Sequence, residues 1–199
     1  MLSLLTGSVS LAQAQTTSFG IKAGASLTNV TGDGVGSNVK NLFGFHGGLF
    51  ANFALNDAFS IQPEVLYSMK GTKSEGPLGG YSGELTSRLH YIDVPVLARV
   101  NAGGLFFELG PQIGFLVAAK QKQEISGGQS AGTFEDDLKN RVRTIDFGYA
   151  AGLGYQLSNG PGIGLRYNGG FIDTKSPSSS AAVRNSAFQL YLTYSFGGK

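Results

Sequence analysis

The sequence predicts an all-β protein, an eight-stranded antiparallel up-and-down transmembrane β-barrel, and three observations carry this prediction. Apolar and polar residues alternate along eight segments of the chain. Long and short connections alternate between these segments along the chain. The charged side chains inside the segments fall on only one of the two faces of each segment.

The composition agrees with a β-rich protein that contacts lipid. Charged residues make up 14% of the 199-residue chain, well below the usual share for soluble domains, and 31 residues are Gly. The formal net charge is +2, so the sequence gives no reason to expect a nucleic-acid partner. There is no Cys, which excludes disulfides, a thiol nucleophile and thiolate metal sites.

The first residues resemble an export signal. Residues 1–14 are mostly apolar and end in Ala12-Gln13-Ala14, the small-x-small pattern of a secretory cleavage site. We therefore predict a signal peptide at 1–14, which lacks the basic start of a complete signal, and a barrel domain at 15–199. No later segment reaches the roughly 18 consecutive apolar residues that a membrane helix needs.

The eight alternating segments follow one another along the rest of the chain. Successive side chains of a strand point to opposite faces, so each segment has one apolar row and one mixed row. Each is about as long as the roughly 9–11 residues of a tilted membrane strand, or slightly longer. The predicted strands are residues 18–27, 43–55, 59–69, 90–100, 105–118, 144–157, 162–171 and 187–196.

The connections predict the topology. Tight-turn residues fill the three short connections, at 56–57, 101–104 and 158–161. The other four are long and polar, at 28–41, 71–87, 121–143 and 173–185. Short turns on one side and long loops on the other are typical of bacterial outer-membrane barrels. We expect both termini in the periplasm and the long loops outside a Gram-negative cell.

The charges indicate which row faces lipid. A charge at mid-bilayer on the lipid-facing surface costs about 2–4 kcal/mol, so the mixed rows are predicted to line the interior. Opposite charges there can pair and fill the lumen. The alternative is a soluble ligand-binding barrel with its apolar rows inside. The predicted interior charges are Lys22, Glu64, Asp93, Arg99, Glu108, Asp146 and Arg166.

Four segments resemble the PorT-like outer-membrane β-barrel family of Bacteroidetes. They are "FGIKAGASLTNV", "IQPEVLYSMKG", "LHYIDVPVLARV" and "FFELGPQIGFLV". The resemblance covers residues from about Thr17 to Phe196. It implies an outer-membrane location, with lipid and lipopolysaccharide as surroundings. Since the founding member is tied to secretion and gliding machinery, it also implies envelope or secretion proteins as possible partners.

The sequence offers no set of catalytic residues. His46 and His90 are candidates, but a nucleophile, base and orienting acid are not found together, so we predict no enzyme, no cofactor and no metal site. The expected role is structural or interactive, with a small pore or transporter as the alternative. One loop carries a charge run that is either an ordinary solvated loop or a contact for lipopolysaccharide phosphates, a divalent ion or a protein. It is formed by Glu135, Asp136, Asp137, Lys139, Arg141 and Arg143.

Overall fold

A computed structural model describes residues 16–32, 38–78, 81–126, 132–139, 142–158, 160–171 and 183–197. The signal-peptide prediction for 1–14 lies outside these residues. The described strands are β1 (Thr17–Thr31), β2 (Val39–Ala54), β3 (Phe59–Leu78), β4 (Tyr81–Ala102), β5 (Leu105–Ser126), β6 (Gly132–Asp137), β7 (Ile145–Gln156), β8 (Pro161–Gly170) and β9 (Arg184–Phe196). No helix in the described parts of the chain is long and apolar enough to cross a membrane.

Eight of the strands form a closed ring. Neighbours in the ring are antiparallel, in the order β1, β2, β3, β4, β5, β7, β8 and β9. The ring closes where β9 pairs with β1, with Phe196 opposite Phe19 and Ser186 opposite Asn29. The predicted eight-stranded antiparallel barrel is confirmed.

The alternation along each strand gives the barrel an apolar outside and a polar inside. A strand of the ring turns one row of side chains inward and the other outward. The charged residues of the mixed rows, such as Lys22, Glu64 and Arg166, are buried, so the mixed rows face the interior. This is the reverse of the soluble alternative, which requires the apolar rows inside. Large apolar side chains are exposed all around the outer surface, among them Phe19, Ile21, Phe43, Leu49, Val65, Leu109, Leu153, Leu165, Leu190 and Leu192.

Three strands continue well past the length that a membrane requires. β3, β4 and β5 have 20, 22 and 22 residues, against about 9–11 for a membrane strand. The prediction of a loop at 71–87 is therefore wrong, since β3 and β4 remain paired there, with Lys73 opposite Thr86. The hydrogen bond from Lys73 to Glu84, 2.7 Å long, lowers the pKa of the Glu84 carboxyl below its usual value.

The predicted loop at 121–143 also differs from the structure. β5 continues to Ser126, and β6 pairs with it outside the ring, with Phe134 opposite Gln123. In this part of the chain most side chains on both faces of the sheet are polar and at least partly exposed, so the sequence has no regular alternation to indicate a strand. The backbone ladder continues nevertheless, because it needs no apolar face.

Candidate functional site

The middle of the barrel interior holds a cluster of four charged side chains, Lys22, Glu64, Glu108 and Arg166, here called the central cluster. Lys22 Nζ lies 2.6 Å from Glu64 Oε1, and Arg166 donates to both Glu64 oxygens at 2.7 and 2.9 Å. Arg166 Nε also donates to Glu108 Oε1 at 2.6 Å. All four side chains are fully buried. Two bases and two acids leave the central cluster electrically neutral.

Tyr191 packs against the central cluster and shows how tightly the lumen is filled. Its hydroxyl donates to Glu108 Oε1 at 2.9 Å, and Lys22 Nζ lies 4.1 Å from the centre of its ring. The ring lies over Gly164, where a Cβ atom would come within 2.4 Å of the Tyr191 ring. Glycine at this position gives the aromatic ring the room that it occupies.

Arg99 lies nearer the short-turn end of the barrel. Its Nε donates to Asn101 Oδ1 at 3.0 Å and its Nη1 to Gln62 Oε1 at 3.2 Å. Its guanidinium carbon lies 3.6 Å from the centre of the Phe106 ring. Among the described residues Arg99 makes no ion pair, and its hydrogen bonds go to neutral amides instead. Gln62, which also donates to Glu64, connects Arg99 to the central cluster.

A second group of charges lies nearer the long-loop end and is called the outer cluster: Lys70, Asp93 and Asp146. Lys70 Nζ lies 2.9 Å from Asp93 Oδ1 and 3.5 Å from Asp146 Oδ2. Lys70 is not among the predicted interior charges because the third predicted strand ends at Met69. Extending the alternation by one residue would have found it, since Lys70 continues the inward row that contains Glu64.

Apolar side chains cover the interior at the long-loop end. Leu89, Tyr91, Leu116 and Ala119 form a buried cluster, and Leu138 and Val142 pack against it from the segment that follows β6. Backbone hydrogen bonds from Leu138 N to Ala119 O, 3.0 Å, and from Leu116 N to Thr144 O, 2.7 Å, hold this segment against β5. These six side chains are called the mouth cap.

The two histidines lie in different environments. His46 is buried, and its Nδ1 is 2.9 Å from Ser26 Oγ. Its Nε2 has no hydrogen-bond partner among the described residues, so no acid orients the ring. His90 lies instead on the outer side of the barrel, with its Nδ1 2.6 Å from the Tyr67 hydroxyl.

The structure places most of the charge run of the third long connection on the surface. Glu135, Asp136 and Asp137 are exposed on β6, and Lys139 and Arg143 are exposed beyond it. Arg141 lies outside the described residues. The described part of the chain contains no group of three or more His, Asp or Glu side chains that could hold a metal ion.

Comparisons with known proteins agree with this architecture. One similar structure is that of Ail, the attachment invasion locus protein of Yersinia pestis, in complex with the heparin analogue sucrose octasulfate. Its sequence is 17% identical to this chain, and the match covers 92% of this chain and 99% of Ail with a TM-score of 0.50. Neisserial surface protein A is 15% identical, covers 89% of this chain and 97% of its own, and also has a TM-score of 0.50. At these identities the similarity shows the fold alone.

The sequence itself matches a described family. No curated protein sequence matches the chain. The family described as "Outer membrane protein beta-barrel domain" matches residues 12–176, most of the chain. This match agrees with the closed ring, the apolar outer surface and the charged interior. The chain belongs to the outer membrane protein beta-barrel domain family.

Proposed function

We propose that this outer-membrane protein has a structural or interaction role in the cell envelope, with a closed interior and no catalytic activity. The filled lumen is the observation that carries the proposal. From one end of the barrel to the other, the interior holds Arg99 over Phe106, the central cluster, the outer cluster and the mouth cap. Surface loops and extended strands are then the parts of the protein that are available to partners.

The size of the ring supports a closed interior. An eight-stranded barrel has an interior that side chains just fill. Here bulky side chains accompany the ion pairs, and Tyr91, Leu97, Phe106 and Tyr191 are almost completely buried. A permeating ion would have to displace pairs such as Arg166 with Glu64, whose atoms lie 2.7 Å apart.

Electrical recording tests the closed interior against the alternative of a small pore. Purified protein inserted into planar bilayers is expected to give no stable conductance, because the ion pairs and the mouth cap close the path. Insertion is checked by recovering the barrel from the same lipid and comparing its gel mobility before and after boiling. Large, stable and reproducible channels from the wild type would contradict the proposal and favour a pore.

The proposed absence of catalysis is supported by the environment of the Ser26–His46 pair. A serine nucleophile needs a base that is oriented by a third group, and it needs access to substrate. Ser26 and His46 are both buried in the lumen. Purified protein should therefore release no fatty acid from phospholipid or lipopolysaccharide, and serine-dependent release that Ser26→Ala abolishes would contradict this.

We further propose that the long strands and β6 face the outside of the cell, with both termini in the periplasm. The alternation of short turns and long connections supports this orientation. Protease added to intact cells should cut near residues 132–139 and spare the turn at 55–58. Cleavage at 55–58 with residues 132–139 intact would contradict the orientation.

The surface of β6 and the residues after it is the proposed region of contact with lipopolysaccharide or with envelope and secretion proteins. The charge run from Glu135 to Arg143 supports polar contacts in this region. Membership of the Bacteroidetes branch is a separate proposal, supported by the four PorT-like segments. A photo-cross-linker at Phe134, an exposed residue of β6, should capture such a partner in intact cells. The same probe at Leu165, on the apolar belt, is the matched control, and equal capture at both sites would contradict a specific contact.

A further inference from the structure

Beyond the proposed role, the outer part of the lumen contains an oxygen-lined cavity. Its lining includes Gln112 on β5, Asp146 on β7, Asn168 on β8 and Asn185 on β9, together with Lys70. These four acidic or amide side chains are each more than nine-tenths buried. The side chains that line the cavity thus come from four consecutive strands of the ring.

Each of these four side chains has an oxygen without a hydrogen-bond partner among the described residues: Gln112 Oε1, Asp146 Oδ1, Asn168 Oδ1 and Asn185 Oδ1. The other Asp146 oxygen is already satisfied, since Asn185 Nδ2 donates to Oδ2 at 3.0 Å and Lys70 lies 3.5 Å from it. A buried acceptor without a partner carries a desolvation cost. All four oxygens are acceptors, so they favour an occupant that presents positive charge to every one of them.

Glycines make room for this occupant. Gly148 lies between Gln112 and Gly170 in the strand register, and Gly170 lies against the backbone of Asn185. Without side chains at Gly148 and Gly170, the space between the amides of Gln112 and Asn185 stays open. A Cβ atom at Gly170 would lie 3.4 Å from Asp146 Oδ1, at the edge of the cavity.

Size and charge indicate what fits. The cavity has a volume of about 10 Å³, enough for one water molecule or one monatomic ion. Two carboxylates, Asp93 and Asp146, and one ammonium, Lys70, leave one net negative charge in the outer cluster. Carboxylate and amide oxygens are ligands for hard cations. A monovalent ion neutralises the outer cluster, whereas a divalent ion would leave it with a positive charge.

We propose that this cavity is a binding site for one monovalent hard cation of the size of Na⁺, coordinated by Gln112, Asp146, Asn168 and Asn185. The ion ties together β5, β7, β8 and β9 near the long-loop end of the barrel. Because the site is absent from an unfolded chain, its occupation stabilises the folded barrel in proportion to the logarithm of the free ion concentration, once this exceeds the dissociation constant.

The test compares Na⁺ with choline at equal ionic strength, so that screening is the same in both. Purified barrel in uncharged detergent is heated in NaCl or choline chloride, and the unfolding midpoint is read from circular dichroism and from gel mobility. The midpoint is expected to rise with NaCl concentration and to stay constant with choline chloride. Equal midpoints in the two salts would mean that the cavity holds water only, and would overturn the proposal.

Variants assign the response to this cavity. Asn168→Leu should remove the Na⁺-dependent rise. Gln189→Leu is the matched control, because Gln189 Oε1 is also buried without a partner but Gln189 does not line this cavity. Its variant should keep the full Na⁺ response. A response that survives in Asn168→Leu, or that is lost equally in Gln189→Leu, would contradict the site.

A second variant decides the question if Asn168→Leu does not fold. Asn168→Asp retains the shape of the side chain and adds a carboxylate to the cavity. It should shift the Na⁺ response to lower ion concentrations and broaden the sodium NMR line of the protein solution more than the wild type does. An unchanged or weaker response of Asn168→Asp would overturn the proposal.

Discussion

Replacing Arg166 with Met is expected to lower the free energy of unfolding by about 3–5 kcal/mol, the usual cost of removing one partner from a buried ion pair. Arg166 is the only described side chain that bridges the two acids of the central cluster, Glu64 and Glu108. Without it, Glu64 keeps Lys22, while Glu108 keeps only the Tyr191 hydroxyl among the described donors. Glu108 then remains buried with no ion-pair partner among the described side chains.

Arg99→Met is the matched control, since it also removes an inward guanidinium. The hydrogen bonds of Arg99 go to the neutral amides of Gln62 and Asn101, so its loss should cost about 1–3 kcal/mol. The chain has no Trp, so urea unfolding in lipid vesicles is followed by far-ultraviolet circular dichroism. Adding Glu108→Gln to Arg166→Met should recover part of the loss. Equal losses in the two single variants would contradict the bridging role of Arg166.

Replacing Leu165 with Arg is expected to cost about 2–4 kcal/mol, the penalty for a basic residue at the bilayer midplane on a barrel's lipid-facing surface. Leu165 lies midway along β8, and its neighbours on the adjacent strands are Leu153 and Leu190. All three side chains are exposed at the outer surface of the barrel. In the membrane that surface is covered by acyl chains, which cannot solvate a guanidinium.

Phe134→Arg provides a matched control. Leu165 and Phe134 are equally exposed, at 56%, but Phe134 lies on β6, beyond the ring. A barrel in water would tolerate arginine equally well at the two positions. We expect only the Leu165 variant to lose stability when both are refolded in vesicles and unfolded with urea. Equal stability of the two variants would contradict a lipid-covered outer surface.

The ring of strands follows from the sequence because membrane burial and lumen burial impose opposite requirements on alternate residues. Leu165 and Arg166 illustrate this, since neighbouring positions of one strand face lipid and the central cluster. A one-residue change of register would exchange their environments. The alternation is therefore strict within the membrane, and each inward charge can be assigned to its face from the sequence.

Outside the membrane neither face of a strand has to be apolar, so the strict alternation is lost. The predicted loops at 71–87 and 121–143 are wrong for this reason. Lys73 and Thr86 form part of a paired hairpin, but both faces of the sheet are polar there. β6 was not predicted as a strand for the same reason, since it too has no alternation of apolar and polar residues. Lys70 lies at the boundary of the membrane part of β3, where the alternating pattern weakens. Its ion pairs with Asp93 and Asp146 are known only from the structure.

The hydrogen-bond and ion-pair partners of the inward charges also cannot be predicted from the alternation. Alternation shows that Arg99 and Arg166 face the lumen, but not which strand lies across from each. Arg166 reaches Glu64, which is 102 residues away in the chain, whereas Arg99 bonds to amides. The oxygen-lined cavity depends likewise on the register that places Gly148 between Gln112 and Gly170.

Fluorescence of a single introduced tryptophan tests most directly that the outer surface of the ring contacts lipid. Since the native chain has no Trp, Leu165→Trp and Phe134→Trp each provide one probe without background. In vesicles, Leu165→Trp should emit at short wavelength, be quenched by lipids with brominated acyl chains and resist acrylamide in the water. Phe134→Trp should show the opposite pattern. Quenching of Leu165→Trp by acrylamide and not by brominated lipid would contradict the account.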